Sequence, residues 1–559
     1  MIGQFFTLQA IAQWSSDPKV NNVIIADTSQ QSACRITSDG SGGAIITWWN
    51  YSLTTNKYDI YAQRINSAGI IQWADNGVAI CTNPSHQQNP EMASDGKGGA
   101  IITWFDQRNI KNEIFAQKID SDGVVQWTVD GVTVGAVAEN FQQGSPVVIN
   151  DGNGGAIIAW EDWRGDISNA IRSIHAQKIS PEGNIQWGIG GVSLNDSSGG
   201  ESPKIISDGN GGAIVAWHQW DGVYPAGDIN IYAQKVNANG SVLWAHEGVE
   251  ICTLTSDQRN VQLVSDGNGG AIIAWEDRRG ESFTNIYAQK VNAEGVIQWT
   301  PDGIPVSPTP ISDLNQIRQR LLSDGSGGAF VTWQYSSNLV CTQRINSSGV
   351  YQWDSYGVEM SNRNAQMIPQ ITTDGGTGAI ITWFTFDTDI YAQRIDSAGT
   401  ILWGASGASI STNPSGQGAP QIVSNGTGGA IIVWDDDRNF ATNSMDIYAQ
   451  RINGDGTLGL ETGMNEKENF LPAGFTLDQN YPNPFVTETL IGFKVAVPCF
   501  VSLKVFNIEG KEVSTIINEE MDPGIYSVMF KATGLPGGVY YYRMKAGNEN
   551  DTRVMILVK

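Results

Sequence analysis

Short apolar runs alternate with turns rich in Gly, Asn and Asp along most of this chain, and the alternation recurs eight times. Each recurrence holds a near-copy of Asp-Gly-x-Gly-Gly-Ala followed by an apolar run ending in Trp. Those tryptophans are Trp48, Trp104, Trp160, Trp217, Trp275, Trp333, Trp383 and Trp434, spaced 50 to 58 residues apart. A unit of that length cannot bury its own apolar faces, so the copies must stack on one another.

Each repeat reads as four strand-like pieces. The first is a run such as Pro-Lys-Ile-Ile-Ser (203–207), and the second follows the glycine turn, as in Ala-Ile-Ile-Ala-Trp (271–275). The third is Ile-Tyr-Ala-Gln-Lys-Val (286–291) or a close variant. The fourth follows a turn such as Asn-Ala-Glu-Gly and ends in a second Trp, as in Val-Ile-Gln-Trp (296–299). Short β-forming runs joined by tight turns are meander strands, and glycine supplies the positive φ those turns require. Four strands repeated eight times predict an all-β fold, an eight-bladed β-propeller of four-stranded blades over residues 13–460. The second Trp recurs at 14, 73, 127, 187, 244, 299, 353 and 403, so sixteen of the 19 Trp occupy two repeat positions and are read as core. The turn containing Gly295 with Trp299 four residues on resembles the tryptophan-docking turn of eight-bladed quinoprotein propellers, and it brings no cofactor residues with it. Closure is expected to come from the N-terminal segment. Leu460 stands where the last repeat needs Trp, and Trp14 has no blade before it.

The formal charge of −24 argues against nucleic acid as a partner and against adsorption to anionic membranes. From residue 471 on the chain is close to neutral, so the repeats carry nearly all the negative charge. Cys34, Cys81, Cys252, Cys341 and Cys499 are scattered, which suggests small buried hydrophobes and no disulfide framework. No apolar run reaches membrane-spanning length, so no membrane insertion is expected. Residues 1–12 contain Ala10-x-Ala12, which resembles the end of a truncated signal peptide cut after Ala12.

Candidate binding residues lie where the repeat is broken. The loops between second and third strands vary from 8 to 15 residues, counted from Trp to the position of Tyr in Tyr-Ala-Gln. Variable loops on a rigid scaffold are where binding residues concentrate. The three Trp outside the repeat, Trp49, Trp163 and Trp220, fall in these loops, with Tyr51 and Tyr224 beside them. They suit stacking on sugar rings or anchoring a protein partner; equally, they cover loop edges. Four loops begin Trp-x-Asp-x-Arg: Asp106/Arg108, Asp162/Arg164, Asp277/Arg279 and Asp436/Arg438. One reading rings the channel mouth with these pairs to hold an anionic or polyol ligand. Recurrence in half the blades favours the other, in which Asp stabilises the turn and Arg pairs with it locally. The Asp-Gly-x-Gly-Gly turns lack the second carboxylate a calcium site needs, so no metal and no cofactor is assigned. His86, His175, His218 and His246 share no repeat position and form no metal spacing. No catalytic motif is present, although a glycosidase carboxylate pair can hide in so acidic a chain.

The repeats stop near 460 and a polar linker, 461–470, leads to a segment of different character, 471–559. It contains Phe475-Thr-Leu-Asp-Gln-Asn-Tyr-Pro-Asn-Pro-Phe485, Val505-Phe-Asn-Ile-Glu-Gly-Lys-Glu-Val513, Leu535-Pro-Gly-Gly-Val-Tyr-Tyr-Tyr-Arg543 and Thr552-Arg-Val-Met-Ile-Leu-Val-Lys559. Its β-forming runs between Gly/Pro turns predict a small immunoglobulin-like β-sandwich. The four motifs in order resemble the type A C-terminal sorting domain of type IX secretion cargo, with Val486-Thr-Glu-Thr where that family often has Asn-Pro. The resemblance implies export, handling by the type IX secretion machinery, and a secreted or outer-surface location. The chain is thus expected to be a monomeric extracellular binding or scaffold propeller, its ligand a glycan or protein held on the variable-loop face. The alternative is an extracellular polysaccharide hydrolase or lyase with carboxylates in the channel.

Overall fold

A computed structural model describes residues 9–10, 14–109, 111–135, 142–163, 172–195, 199–221, 227–279, 283–307, 314–363, 365–439, 445–459, 475–477, 480, 483–495, 499–521, 524–546 and 549–558. The described residues form strands and turns only, in two compact units: Gln13–Glu461, and Met1–Ala12 with Thr462–Lys559. The 461–470 linker lies outside the described residues.

The larger unit is an eight-bladed β-propeller built from eight four-stranded antiparallel sheets. In the second blade the strands are Gln87–Ser94, Ala100–Asn109, Lys111–Ile119 and Val132–Thr133, each paired with the next. Apolar clusters form between blades. One joins Ile60, Ala62 and Trp73 of the first blade to Ile102 and Trp104 of the second. This is the stacking that the 50-to-58-residue period demands.

The fourth strand departs from the sequence reading. Val296-Ile-Gln-Trp299 makes one isolated bridge, Val291 to Ile297, and the strand proper is Ile304–Pro305. The apolar run ending in Trp is part of a turn whose hydrogen bonds come from a side chain. Gln289, the Gln of Tyr-Ala-Gln, accepts from the Trp299 amide at 3.0 Å and donates to the Thr300 carbonyl at 2.7 Å. Gln63, Gln117 and Gln234 bracket Trp73, Trp127 and Trp244 in the same way. The indole of each such Trp then docks on the next blade: Trp73 Nε1 donates to the Ser121 carbonyl at 3.1 Å and Trp127 Nε1 to the Pro181 carbonyl at 2.9 Å.

Closure follows the expected route. Asn22–Ile25 pairs antiparallel with the third strand of the last blade, Asp446–Ile452, as its fourth strand. Trp14 Nε1 donates to the Ser67 carbonyl of the first blade at 3.0 Å, so Trp14 does for the last blade what Trp73 does for the first. Arg451 Nη1 reaches the same carbonyl at 2.7 Å. Leu460 lies outside the described residues.

Every inner strand carries a bulge, marked by a register shift before the residue that faces the channel, as between Glu201 and Lys204. Its first residue adopts positive φ without being glycine: Ala33 (54°), Asn89 (51°), Ser202 (53°) and Arg318 (59°) are examples. In four of the eight bulges the amide freed from the ladder finds an acceptor on the preceding blade. Asp435 accepts from Ala33, Glu161 from Ser202, Glu276 from Arg318 and Gln334 from Ile368. Such bulges re-aim side chains and add twist. Here they also latch blades together.

The smaller unit is an immunoglobulin-like β-sandwich. One sheet has the order Glu512–Met521, Cys499–Asn507, Gly538–Ala546, Glu549–Leu557; the other holds Gly524–Lys531, Glu488–Val495 and Phe475–Leu477, with Gln9–Ala10 paired to Tyr526–Ser527. Phe493 and Ile491 of one sheet share a core with Val501, Leu503 and Tyr542 of the other. Phe485, from the Pro-Asn-Pro-Phe motif, is buried in it. Asn507, from the Val-Phe-Asn-Ile-Glu-Gly motif, caps its hairpin by accepting from the Glu509 and Lys511 amides.

Candidate functional site

The loops between second and third strands sit beside the connections that enter the first strand. Backbone bonds tie them together: Gln107 donates to the His86 carbonyl, Trp163 to Gln142 and Trp220 to Gly199. The variable loops and these connections therefore share one face.

On that face the Trp-x-Asp-x-Arg residues are occupied with each other. Asp277 is 1% exposed; its Oδ2 accepts from Trp275 Nε1 at 2.7 Å and from Arg279 Nη2 at 2.6 Å. The Arg279 guanidinium lies 3.5 Å over the Tyr287 ring and also donates to the Asp302 carbonyl. Asp106 with Trp104 and Arg108, and Asp436 with Trp434 and Arg438, repeat the arrangement at 2.6–3.1 Å. Asp162 accepts from Trp160 Nε1 and Gln143 Nε2; Arg164 lies outside the described residues. The carboxylate satisfies an indole N–H that would otherwise be buried without a partner, as those of Trp333 and Trp383 are. Where these carboxylates are described, their hydrogen-bonding capacity is spent inside the blade.

Trp49, Tyr51 and Trp220 lie not in loops but in the extended ends of the second strands, Ala44–Ser52 and Ala213–Asp221, because the hairpin pairing runs on past the repeat Trp; the aromatics form two groups. Trp49 meets Tyr58 edge-on at 4.9 Å, and Tyr58 packs on Tyr51 at 4.7 Å and on His86 at 5.5 Å. Trp163 and Trp220, on the third and fourth blades, are joined through charged groups. Arg172 lies 5.0 Å over the Trp163 ring and binds Glu201 Oε1 at 2.6 Å, while Trp220 Nε1 donates to the same oxygen at 3.2 Å. His218 Nε2 faces Glu201 Oε2 at 3.5 Å, and Arg259 lies 5.5 Å over the Trp220 ring. Burial pushes the Glu201 carboxyl up, but its hydrogen bond with His218 and the Arg172 charge outweigh that and hold it below the usual carboxylate range. Tyr224 lies outside the described residues.

Arg172, Glu201 and His218 carried no signal in the sequence: Arg172 and Glu201, 29 positions apart, meet only when neighbouring blades pack, and His218 faces Glu201 only once the first two strands of the fourth blade pair. One histidine needs correction. His175 does occupy a shared repeat position, pairing with Trp160 as Tyr61 pairs with Trp48, with ring centroids 5.9 Å apart. The cysteines behave as small hydrophobes: all five are free thiols, and burial pushes Cys81 and Cys252 up to about 12. Among the described residues, no cluster of His, Cys, Asp and Glu is arranged to hold a metal ion, and no helix is long and apolar enough to cross a membrane.

No curated protein matches the chain. Among solved structures it is similar to a polysaccharide lyase of family PL25, an ulvan lyase, at 10% identity and TM-score 0.42, covering 81% of this chain and 98% of that one. A Dyadobacter fermentans protein of unknown function gives 13% identity and TM-score 0.35, with 57% and 96% covered. Penicillium chrysogenum α-L-arabinanase complexed with arabinobiose gives 11% identity and TM-score 0.34, with 65% and 92% covered. Likenesses at these scores assign the chain neither a ligand nor a reaction. Residues 479–559 match the secretion system C-terminal sorting domain, the type IX signal that the four terminal motifs resemble, and the protein is therefore exported to the cell surface or the surrounding medium.

Proposed function

We propose that this protein is an extracellular binding propeller whose variable-loop face takes up a glycan or a protein segment at the junction of the third and fourth blades. The observation that carries the reading is the Trp163–Arg172–Glu201–Trp220 chain. Two half-buried indoles on adjacent blades flank a guanidinium and a carboxylate held in fixed geometry. An aromatic face beside charge-assisted donors and acceptors suits a sugar ring, which offers C–H surface to the indole and hydroxyls to the polar groups.

The competing reading, a hydrolase or lyase with carboxylates in the channel, finds less support. Glycoside hydrolysis ordinarily uses two carboxylates. Among the described residues, Glu91 is the one carboxylate lining the channel cavity, and it is paired with Arg35 at 2.9 Å.

The test is a glycan array probed with the wild-type protein and with a Trp163→Ala/Trp220→Ala variant. Binding of a glycan subset that falls at least about tenfold in the variant supports the reading. Binding that survives this double change, and the addition of Trp49→Ala, places the ligand elsewhere. Release of a shortened product from a bound glycan would instead establish the enzyme.

A further inference from the structure

The inner strands place one residue per blade at the same level of the central channel, directly after the bulge. Around the ring these include Arg35, Glu91, Lys204, Arg320 and Gln370, and they line a cavity of about 390 Å³. That volume is within the range of about 300–1,000 Å³ usual for small-molecule sites. Three cations and one carboxylate therefore face a common space, in a chain whose overall charge is −24.

The protein balances these charges only in part. Glu91 neutralises Arg35 through a 2.9 Å ion pair. Arg320 spends Nε on the Gln370 side chain at 3.1 Å and Nη1 on the Gln319 carbonyl at 2.9 Å, both neutral acceptors. The Lys204 ammonium makes no hydrogen bond or ion pair among the described residues. Burial, with the charges of Arg320 and Arg35 across the channel, pushes its ammonium down against the pull of Glu91. Lys204 is half-buried, and a cation partly withdrawn from water with no carboxylate in contact gains from a bound anion. The rest of the belt is glutamine and valine, which add donors and acceptors without adding charge. Belt residues are mixed in type and lie on separate blades, so ordinary blade packing does not require the cations to be there.

We infer that the central channel is an oxyanion site, in which Lys204 and Arg320, with Arg35 beside them, bind a carboxylate, sulfate or phosphate group. The group comes either as a free ion or as a substituent of an acidic sugar. The site is separate from the loop-face aromatics and stands without them.

Thermal shift and titration calorimetry on the full chain test this, with sodium sulfate, sodium phosphate and sodium glucuronate each compared with sodium chloride at equal ionic strength. The expected result is saturable binding of at least one oxyanion, weakened about tenfold or more in both Lys204→Met and Arg320→Gln. Lys204→Met removes an unpartnered charge, so without oxyanion it should melt no lower than wild type. Should that variant fail to fold, Arg320→Gln carries the comparison. Sulfate or phosphate binding without glucuronate identifies a free-ion site, and glucuronate binding a sugar-acid site. Absence of saturable binding beyond chloride, or affinities unchanged in both variants, overturns the inference. The Trp163→Ala/Trp220→Ala variant should keep oxyanion binding intact, so this inference and the loop-face reading fail separately.

Discussion

Asp435 is 6% exposed and lies between the last blade and the first, where its Oδ2 accepts from Ser32 Oγ at 2.5 Å and from the Ala33 amide at 3.2 Å. Burial raises its pKa above the ordinary 3.8, and the hydrogen bonds from Ser32, Ala33 and Cys34 only partly offset that. An acid whose folded pKa is raised binds protons more readily folded than unfolded. Its favourable contribution is present at low pH and is lost as pH rises through the folded value. Asp435→Asn removes this dependence while keeping an oxygen for the bulge amide. The melting temperature of the variant relative to wild type should therefore climb as pH rises above the ordinary Asp value of about 3.9. A difference that stays flat across this range would contradict the burial argument. The latch itself is invisible in the sequence: Ala33 and Asp435 are brought together only by closure of the ring.

At the scale of the element, the docking turn decides how blades register. Gly295 has φ of +82°, and a Cβ there would lie 2.8 Å from the Trp244 ring of the preceding blade. Both backbone and space thus require glycine. Gly295→Ala should cost about 2 kcal/mol or more, from left-handed strain of about 1–2 kcal/mol and crowding of about 1–3 kcal/mol. Urea denaturation checks this, and an unchanged midpoint would show that the turn tolerates a side chain. First, second and third strands were legible because alternation and turn chemistry are local. The fourth was misplaced by five residues or more. A buried Trp closing an apolar run has the look of a strand end, yet its backbone partner is the side chain of a glutamine ten residues away. Propensity and periodicity carry no information about a bond of that kind.

At the scale of the whole molecule, the ring is shut by the N-terminal strand. Asn22–Ile25 completes the last blade, and Trp14, Ile24 and Ile25 join Trp48 and Ile447 in one buried cluster. A chain beginning at Ala26 should melt well below one beginning at Gln13, since removal of Trp14 alone is worth about 3–5 kcal/mol. It should also be cut faster by protease in the last blade; equal stability of the two chains would mean that closure does not depend on this strand. The sequence alone determined the number of blades, the repeated tryptophans (thirteen of the sixteen buried, with Trp187, Trp353 and Trp403 half-buried against the core), the glycine turns and the sorting segment. Each of these is written in residues close together along the chain and repeated, or in motifs kept in order. Only the tertiary structure decided which loop residues meet, that the Trp-x-Asp-x-Arg carboxylates are turned inward, and that Arg35, Lys204 and Arg320 face one cavity. Such contacts join positions tens to hundreds of residues apart. They arise because eight blades close into a ring, and no local pattern of residues encodes which side chains that ring will place opposite one another.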